Sequence, residues 1–374
     1  MRLLYFSRSF SPHDHRFLSA LSETDYRTYF LCLEQKEHAP HERKLPDGIN
    51  KVRWETANAF QTSSCISGLT GQMQDILKAI RPDIVHAGPI QRGAFLTALC
   101  DYHPLVSMSW GYDLLLDAKR DFLWDWVTRY TLQQSDVFIG DCQKIKEEAI
   151  KYGMNSDKII TFPWGIDLGH YTPLKDGSTS PLRRKWNWEE KFIVLHTRGW
   201  EAMYGSDEFF LAFVKVAHQN PNLCLVMVGE GSQKSNFYKL IDKYGIKDQV
   251  IFPGFISQEE LPKYYRAANV YVSASHIDGS SISLLEAMAC GIPVLVSDIP
   301  GNKEWVMDGR QGWLFKMGNV SEIMKALRRA FEHKETLLEM GKEARQTVEK
   351  KANWKKNFPK LLEAYSMAVN SSYG

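Results

Sequence analysis

The chain has 374 residues, which is long enough for two domains of ordinary size. Its 46 basic and 44 acidic side chains leave a formal net charge of +2, which argues against a dedicated nucleic-acid binder. Six cysteines without a C-x-x-C pair argue against a disulfide framework or a zinc site and favour reduced thiols in a cytoplasm. The N-terminal apolar run is too short for a signal peptide, and no segment approaches the length of a membrane-spanning helix.

Predicted strands and helices alternate from the N-terminus onward, a pattern typical of parallel sheets with helices on both faces. The strands predicted in the first half are Arg2–Phe6, Tyr26–Leu33, Asp83–His86, Leu105–Trp110, Val137–Gly140 and Lys158–Phe162. The helices predicted there are a segment that ends near Ser22, then Gln72–Ile80, Gly93–Cys100 and Leu114–Gln134. The predicted loops are Ser7–His13 and the polar stretch Glu34–Asp47.

The second half starts after Pro163–Pro173, which has the glycine and proline content of a connector. The strands predicted after it are Phe192–Thr197, Leu223–Val228, Val250–Phe252, Val270–Val272 and Val294–Val296, and a helix is predicted after each of the first four. A final helix is predicted over Trp354–Val369 from the spacing of its apolar residues. We therefore expect one domain over residues 1–165 and another over 173–350, with ligands beyond the carboxyl ends of the strands.

The loop and helix between Val272 and Val294 form the most informative stretch. A helix over Ile282–Cys290 follows a polar loop that contains Gly279, Ser280 and Ser281. The start of such a helix offers unpaired N–H groups and the positive end of the helix dipole, which suit a phosphate group. Asp278 and Glu286 lie beside this cradle and are suited to accepting hydrogen bonds from sugar hydroxyls. Together these features predict a nucleotide-sugar site, whereas each residue alone is more typical of an acidic loop or an exposed helix glutamate.

The run from Glu286 to Val294 resembles the signature of the retaining glycosyltransferases of family 4, which have the GT-B fold. The resemblance implies that Glu286 binds the ribose and that Asp278, in the place of the usual glutamate, contacts the donor sugar. It also implies a fold of two Rossmann-like domains that face a cleft, with the terminal helix, residues 354–374, crossing back to the first domain. Ile282 completes the implied donor site, at the start of the helix.

The same resemblance assigns roles to the loop after the strand Phe192–Thr197. Arg198 stands where the family places an arginine on the donor diphosphate, although a surface arginine beside Glu201 is the simpler structural alternative. Tyr204 occupies the position of the usual lysine, so one expected cation is missing. Either Tyr204 donates a hydrogen bond to the phosphate, or another cation replaces the lysine. The candidate replacements are Lys191 and Lys303.

Three further loops carry weaker predictions. The stretch with Gly229 and Gly231 lacks the third glycine of a dinucleotide-binding motif, and the resemblance implies instead that these glycines line the donor pocket near the diphosphate. Gly254, Phe255 and Ile256 are expected to hold the base through the backbone, as the resemblance implies. The first domain has Trp110-Gly111-Tyr112-Asp113 where the family has a histidine loop, which leaves Asp113 as a candidate catalytic residue. His13 and His15 are further candidates for the acceptor side, although each is more typical of a solvated loop.

The sequence thus predicts a retaining glycosyltransferase, of the kind found in polysaccharide biosynthesis, which uses a nucleotide sugar and neither a metal nor another cofactor. The acceptor is expected to be a glycan, a lipid-linked molecule or a small molecule. The alternatives are an inactive nucleotide-sugar-binding protein and a GT-B enzyme of other chemistry, such as an epimerase. The basic, tryptophan-bearing segment Leu114–Gln134 fits peripheral contact with the inner face of a membrane or ordinary packing with a solvated face.

Overall fold

The computed structural model of the protein describes residues 1–34, 44–53, 64–175 and 178–371. The chain forms two compact units, one of Met1–Phe162 with Phe358–Gly374 and the other of Pro163–Asn357. Most of the predicted loop Glu34–Asp47 lies outside the described residues. In the part of the chain that is described, no helix combines the length and the apolar character that a transmembrane span requires.

The first unit is built on a sheet of seven parallel strands in the order β3-β2-β1-β4-β5-β6-β7. Its strands are β1 (Arg2–Ser7), β2 (Arg27–Cys32), β3 (Asn50–Val52), β4 (Ile84–Ala87), β5 (Leu105–Met108), β6 (Val137–Gly140) and β7 (Ile159–Thr161). Its helices are α1 (Pro12–Ser22), α2 (Ser64–Ile80), α3 (Phe95–Leu99), α4 (Tyr112–Leu115), α5 (Phe122–Gln133) and α6 (Gln143–Lys151). Strands β4, β5 and β6 are fully buried, as expected for parallel strands covered on both faces.

The second unit has six parallel strands in the order β10-β9-β8-β11-β12-β13. Its strands are β8 (Phe192–His196), β9 (Leu223–Met227), β10 (Val250–Ile251), β11 (Val270–Ser273), β12 (Val294–Ser297) and β13 (Gly312–Phe315). Its helices are α7 (Pro181–Trp186), α8 (Ser206–Ala217), α9 (Lys234–Tyr244), α10 (Leu261–Ala267), α11 (Ile282–Ala289), α12 (Pro300–Lys303), α13 (Val320–Glu332) and α14 (Leu337–Lys351). Apolar clusters cover both faces of this sheet.

The two sheets share one doubly wound topology. In each, the chain adds two strands on one side of the first strand and then crosses to its other side. The direction reverses between β1 and β4 in the first sheet and between β8 and β11 in the second. Such a reversal leaves a crevice at the carboxyl ends of the two strands, which is where open α/β sheets bind ligands.

The terminal helix α15 (Trp354–Ser371) begins in the second unit and ends in the first, as predicted. Leu361, Ala364, Tyr365 and Ala368 are fully buried in the first unit. The Tyr365 hydroxyl lies 2.7 Å from Nδ1 of His86, a buried residue of β4. Burial lowers the pKa of His86 to about 3, so its ring is neutral at physiological pH.

The prediction of one long helix over Leu114–Gln134 was wrong. The segment forms α4, a short 3-10 turn at Asp117–Lys119 and then α5. Asp121 has an extended backbone and its carboxylate accepts a hydrogen bond of 3.0 Å from the Trp124 N–H, so it caps a new helix. The prediction also missed β3, β13, α2's first two turns, α6, α7, α12, α13 and α14.

Candidate active site

The residues predicted to bind the donor lie mostly at one edge of the second sheet. Because its six strands are parallel, their carboxyl ends share that edge, and the loops that follow them start there. The loop after β8 carries Arg198 and the loop after the adjacent β11 carries Asp278, so the two residues flank the switch point. The loops after β9 and β10 carry Gly229 and Gly254.

Arg198 is held by two neighbours at this point. Its Nη2 lies 2.8 Å from Oδ2 of Asp278, and each of the two side chains is 16% exposed. Its guanidinium carbon lies 4.1 Å from the centre of the Tyr204 ring, in a cation–π contact. Tyr204 therefore supports the guanidinium with its ring face. The buried Nε–H of Arg198 donates to no other described residue, so it is placed to donate a hydrogen bond to a ligand anion.

Asp278 balances two opposing effects. Burial raises its pKa, whereas the charge of Arg198 and hydrogen bonds from the Ser281 side chain and the Gly279 N–H lower it. A carboxyl group in this environment keeps its proton more readily than an exposed aspartate. Each member of the Arg198–Asp278 pair is thus the counter-ion of the other, and removing one leaves the other buried without its partner charge.

The start of α11 is the candidate phosphate cradle. Ser281 is its N-cap residue, and its side chain makes no capping hydrogen bond, which leaves the first backbone N–H groups of the helix for other acceptors. The hydroxyls have neighbours of their own: Ser280 Oγ accepts from the Trp305 indole N–H at 3.3 Å, and Ser281 Oγ lies 3.2 Å from Ser283 Oγ. The backbone amides at the start of the helix are therefore the main candidate donors for an anion.

Gly301 explains how this loop is held close to the next one. A Cβ atom at Gly301 would lie 2.4 Å from the carbonyl oxygen of Gly279 and 2.6 Å from that of Asp278. Only glycine allows this approach without displacing the backbone of the loop that carries Asp278.

Glu286 lies on α11 and is only 3% exposed. Its Oε2 accepts a hydrogen bond of 2.9 Å from the hydroxyl of Tyr265, a fully buried residue of α10. The same tyrosine oxygen lies 3.0 Å from Oγ1 of Thr197, the neighbour of Arg198. Sequence reasoning missed Tyr265 and Thr197, because a tyrosine in a helix and a threonine at the end of a strand are typical of ordinary packing.

The loops after β9 and β10 are joined to each other and to the loop that carries Arg198. The Gly229 N–H donates to the Gly254 carbonyl oxygen at 2.8 Å, and Gly229 has a φ of +93°, which favours glycine. A Cβ atom at Gly231 would lie 2.5 Å from the carbonyl oxygen of Trp200. Phe255 is 54% exposed, whereas Ile256 packs against the core.

The two lysines suggested as replacements for the missing cation lie at opposite edges of the second sheet. Lys191 was a wrong choice, because it precedes β8 and therefore lies at the opposite edge of the sheet, where its Nζ donates to Pro221 and Asn222 at 3.1 and 3.0 Å. Lys303 follows β12 at the correct edge and lies 4.0 Å from Asp298. Lys234, which sequence reasoning did not consider, begins α9 at the same edge and lies 2.9 Å from Glu230.

The candidate residues of the first unit are Asp113, His13 and His15. Asp113 is fully buried, and its carboxylate accepts from the Ser109 hydroxyl at 2.6 Å and from three backbone N–H groups at 3.0 to 3.1 Å. With its carboxylate so occupied, the geometry favours a structural role for Asp113, and its catalytic role stays a prediction. His13 and His15 lie within α1, which begins at Pro12, so the loop predicted over Ser7–His13 ends earlier in the structure; the His13 ring lies 5.2 Å from that of Trp110.

Comparison with known families covers both halves of the chain. The family model described as Glycosyltransferase Family 4 matches residues 13–170, and the model described as Glycosyl transferases group 1 matches residues 178–347. The second range contains Arg198, Asp278 and Glu286. In the described part of the chain, no three His, Cys, Asp or Glu side chains converge in a way that could hold a metal ion.

Individual relatives are distant. The putative glycosyltransferase EpsD of Bacillus subtilis is 26% identical over 185 residues, which cover 49% of this chain and 48% of EpsD. The sulfoquinovosyl transferase SQD2 of Arabidopsis thaliana is 24% identical over 302 residues, which cover 77% of this chain and 58% of SQD2. The chain thus spans about half the length of these relatives. The crystal structure of Anabaena HepE in complex with UDP and glucose aligns with a TM-score of 0.79 at 16% identity, over 98% of this chain and 99% of HepE, and shows a shared fold.

Proposed function

The chain belongs to the GT-B glycosyltransferases, and from this premise we propose that it is a retaining enzyme that transfers a hexosyl group from a nucleotide-diphosphate sugar. The acceptor is a glycan, a lipid-linked molecule or a small molecule. The proposed reaction uses the nucleotide sugar as its donor and needs no separate cofactor. That HepE was crystallised with UDP and glucose supports a nucleotide sugar as the ligand and makes UDP the first base to test.

The observation that carries this proposal is the placement of Arg198 and Asp278 at the switch point, beside the start of α11. Breaking the bond between the sugar and the diphosphate develops negative charge on the leaving phosphate oxygen. If the donor binds here, a guanidinium and helix amides that are already in place would stabilise this charge without reorganisation, and such stabilisation often contributes more to catalysis than any other single effect. In this proposal Asp278 accepts a hydrogen bond from the donor sugar and Glu286 accepts from the ribose.

The proposed chemistry needs no basic residue of the protein. The acceptor oxygen forms its bond to the anomeric carbon on the face from which the diphosphate departs, so the configuration is retained. The proton of the acceptor hydroxyl passes to the departing phosphate oxygen. This balance is consistent with a buried, hydrogen-bonded Asp113 and explains why the lack of a histidine at Trp110 does not prevent the reaction.

Peripheral contact with an anionic membrane surface is part of the proposal, with the protein in the cytoplasm at the inner face. The first two turns of α5 contain three exposed apolar side chains, with Phe122 85%, Leu123 61% and Trp126 45% exposed. Exposed cations at Lys119 and Arg120 adjoin this tip, although each lies near a carboxylate, so insertion of the apolar side chains is the main source of affinity. Replacing Phe122 and Leu123 by serine should abolish co-sedimentation with phosphatidylglycerol vesicles.

Thermal unfolding with UDP, GDP, ADP and their common sugar conjugates is the first test. A ligand that binds the folded state raises the melting temperature by mass action, by an amount set by its concentration relative to Kd. A shift with one base identifies the donor class, and release of the sugar or its transfer to an acceptor then separates an active enzyme from a protein that only binds. The absence of a shift with every nucleotide would contradict the proposal.

A further inference from the structure

Two fully buried tyrosines lie side by side next to the candidate carboxylates. Tyr265 belongs to α10 and Tyr271 to β11, and their ring centres are 6.0 Å apart. Each hydroxyl contacts a different group: Tyr265 donates to Glu286 Oε2 at 2.9 Å, and Tyr271 donates to Ser283 Oγ at 2.8 Å. The two candidate donor-binding carboxylates are therefore supported through different tyrosine hydroxyls, and the Thr197 hydroxyl contacts both tyrosines.

The chain through Tyr265 is short and its direction is determined. An ionised carboxylate can only accept, so the Tyr265 hydroxyl donates to Glu286, and its oxygen accepts from the Thr197 hydroxyl at 3.0 Å. Burial and the nearby charge of Glu286 raise the pKa of Tyr265 well above its ordinary value, so the phenol stays protonated and remains a donor. Two hydrogen bonds thus connect the strand end beside Arg198 with Glu286.

The chain through Tyr271 is longer. Ser283 Oγ lies 3.2 Å from Ser281 Oγ, and the Ser281 side chain hydrogen-bonds to Asp278. Three links separate Tyr271 from its carboxylate, whereas Tyr265 contacts Glu286 directly. A change at Tyr265 should therefore affect one carboxylate specifically.

We propose that Tyr265 is a positioning residue of the nucleotide site, which holds the Glu286 carboxylate in the orientation that receives the ribose hydroxyls. The inference rests on the proposed function, in which Glu286 binds the ribose. The hydrogen bond from Tyr265 holds Oε2 in place and so restricts the orientations open to Oε1. Without the phenol, the carboxylate loses a buried donor and must be reordered each time a nucleotide binds.

The test compares the affinity of Tyr265→Phe and wild type for the nucleoside diphosphate, among UDP, GDP and ADP, that wild type binds most tightly. Calorimetry should show Kd about tenfold higher for the variant, as expected for loss of one hydrogen bond to a charged group. The same measurement with the 2′,3′-dideoxy nucleotide should show no difference between the two proteins, because the ribose hydroxyls that Glu286 would bind are missing. A residue with only a packing role would affect both nucleotides equally.

Tyr171→Phe is the matched control. Tyr171 is buried in the same aromatic cluster, 6.0 Å from the Tyr265 ring, but its hydroxyl donates to Gln258 at 2.9 Å, so the variant should keep the wild-type Kd. Thr197→Val removes the hydroxyl that donates to Tyr265 and that also contacts Tyr271, and it should raise Kd for the ribonucleotide by less than Tyr265→Phe. It also serves as the second test if Tyr265→Phe does not fold.

The outcomes separate this inference from the function on which it rests. Wild-type protein that binds no nucleotide overturns both. Wild-type protein that binds the ribonucleotide and its dideoxy form equally overturns the ribose role of Glu286, and with it the role of Tyr265. Clear ribose dependence in wild type, together with an unchanged Kd or an equal loss on both nucleotides in Tyr265→Phe, overturns the inference alone.

Discussion

Arg198 is the residue on which the proposed chemistry depends most. We expect Arg198→Gln to lower turnover of the donor about 10²- to 10³-fold, the usual cost of removing one preorganised donor from the site of developing charge. The melting temperature should fall only slightly. Asp278, whose pKa burial already raises, can take up a proton when the guanidinium is lost, so no unpaired charge stays buried. Steady-state kinetics and thermal unfolding of the same preparations measure both effects.

Arg183 provides the opposite control for that experiment. Its guanidinium donates to the Ala267 carbonyl at 2.9 Å and to Asn269 Oδ1, just before β11, so it lies at the amino edge of the same sheet. Arg183→Gln should therefore lower the melting temperature and leave kcat unchanged. If Arg198→Gln instead loses as much stability as Arg183→Gln while it retains turnover, Arg198 has a structural role.

Asp113 is expected to behave as a structural residue of the first unit. Asp113→Asn removes the charge from a buried carboxylate that accepts four hydrogen bonds and places an N–H₂ group among donors. We expect the free energy of unfolding to fall by about 1–3 kcal/mol, and the Kd for nucleotide to stay unchanged. Denaturant titration and calorimetry provide the measurements. Full stability together with lost transfer activity would return Asp113 to the reaction.

At the residue level, sequence located the main candidates but not their contacts. Arg198 and Asp278 each follow a recognisable apolar strand, and parallel strands bring such positions to one edge, so their shared edge was predictable. Their ion pair and the stacking of Tyr204 on Arg198 were not, because they depend on side-chain conformations. Tyr265 was missed because its pattern is that of a packed helix, and only the neighbouring Glu286 distinguishes it.

At the level of elements, the titration of Glu148 in α6 makes the stability of the fold depend on pH. Its carboxylate contacts three ammonium groups, with Nζ of Lys144 at 2.7 Å, of Lys151 at 2.9 Å and of Lys119 at 3.3 Å. Although burial acts in the opposite direction, hydrogen bonds from Lys144 and Lys151 lower the pKa of Glu148 from 4.5 to about 2. A lowered carboxyl pKa stabilises the fold above the ordinary pKa, and that stabilisation is lost as the pH falls toward the folded value.

Glu148→Gln should therefore lower the free energy of unfolding at neutral pH by about 1–3 kcal/mol. The difference from wild type should shrink as the pH falls from about 4.5 to about 2, the interval between the unfolded and folded pKa values. Glu147→Gln is the control, because its half-exposed carboxylate lies 3.9 Å from Lys144 and should contribute little. A difference that does not change with pH would contradict the pairing.

Most central strands could be predicted because they are short, continuous apolar runs. The missed strand β3 is an edge strand whose residues are largely exposed, so it carries no apolar pattern. The segment Leu114–Gln134 misled prediction for the opposite reason, since its apolar spacing continues across the break at Asp121. Local capping therefore decided the helix boundary, and a helical period alone could not reveal it.

On the scale of the whole molecule, the connector and the start of the last helix both belong to the second unit. Ile166 forms a bridge with Asn353, and the Asn357 side chain donates to the Pro163 carbonyl oxygen at 2.9 Å. Arg345 of α14 donates from Nη1 to the carbonyl oxygens of Tyr171 and Ala289, each at 2.6 Å. The connector and the start of the last helix are thus held by contacts within the second unit, which also has a sheet with apolar clusters on both faces.

We therefore expect residues 163–357 to fold when expressed alone and to bind the same nucleotide diphosphate as the full chain. Their candidate nucleotide-binding groups, from Arg198 to Glu286, all lie within this unit, so Kd should stay within about tenfold of the full-length value. Removal of residues 358–374 alone should instead destabilise the first unit, because it strips buried side chains of α15, including Tyr365, from its core.

Circular dichroism, thermal unfolding and calorimetry of the 163–357 fragment test this expectation, with the Glu286→Ala form of the fragment as the control for specific binding. A cooperative transition with nucleotide affinity that Glu286→Ala weakens would show that the second unit binds the donor by itself. A fragment that folds but binds no nucleotide, while the full chain does, would show that the first unit contributes to donor binding. A fragment without a cooperative transition would show that its two apolar clusters and the contacts of its connector do not suffice for stability.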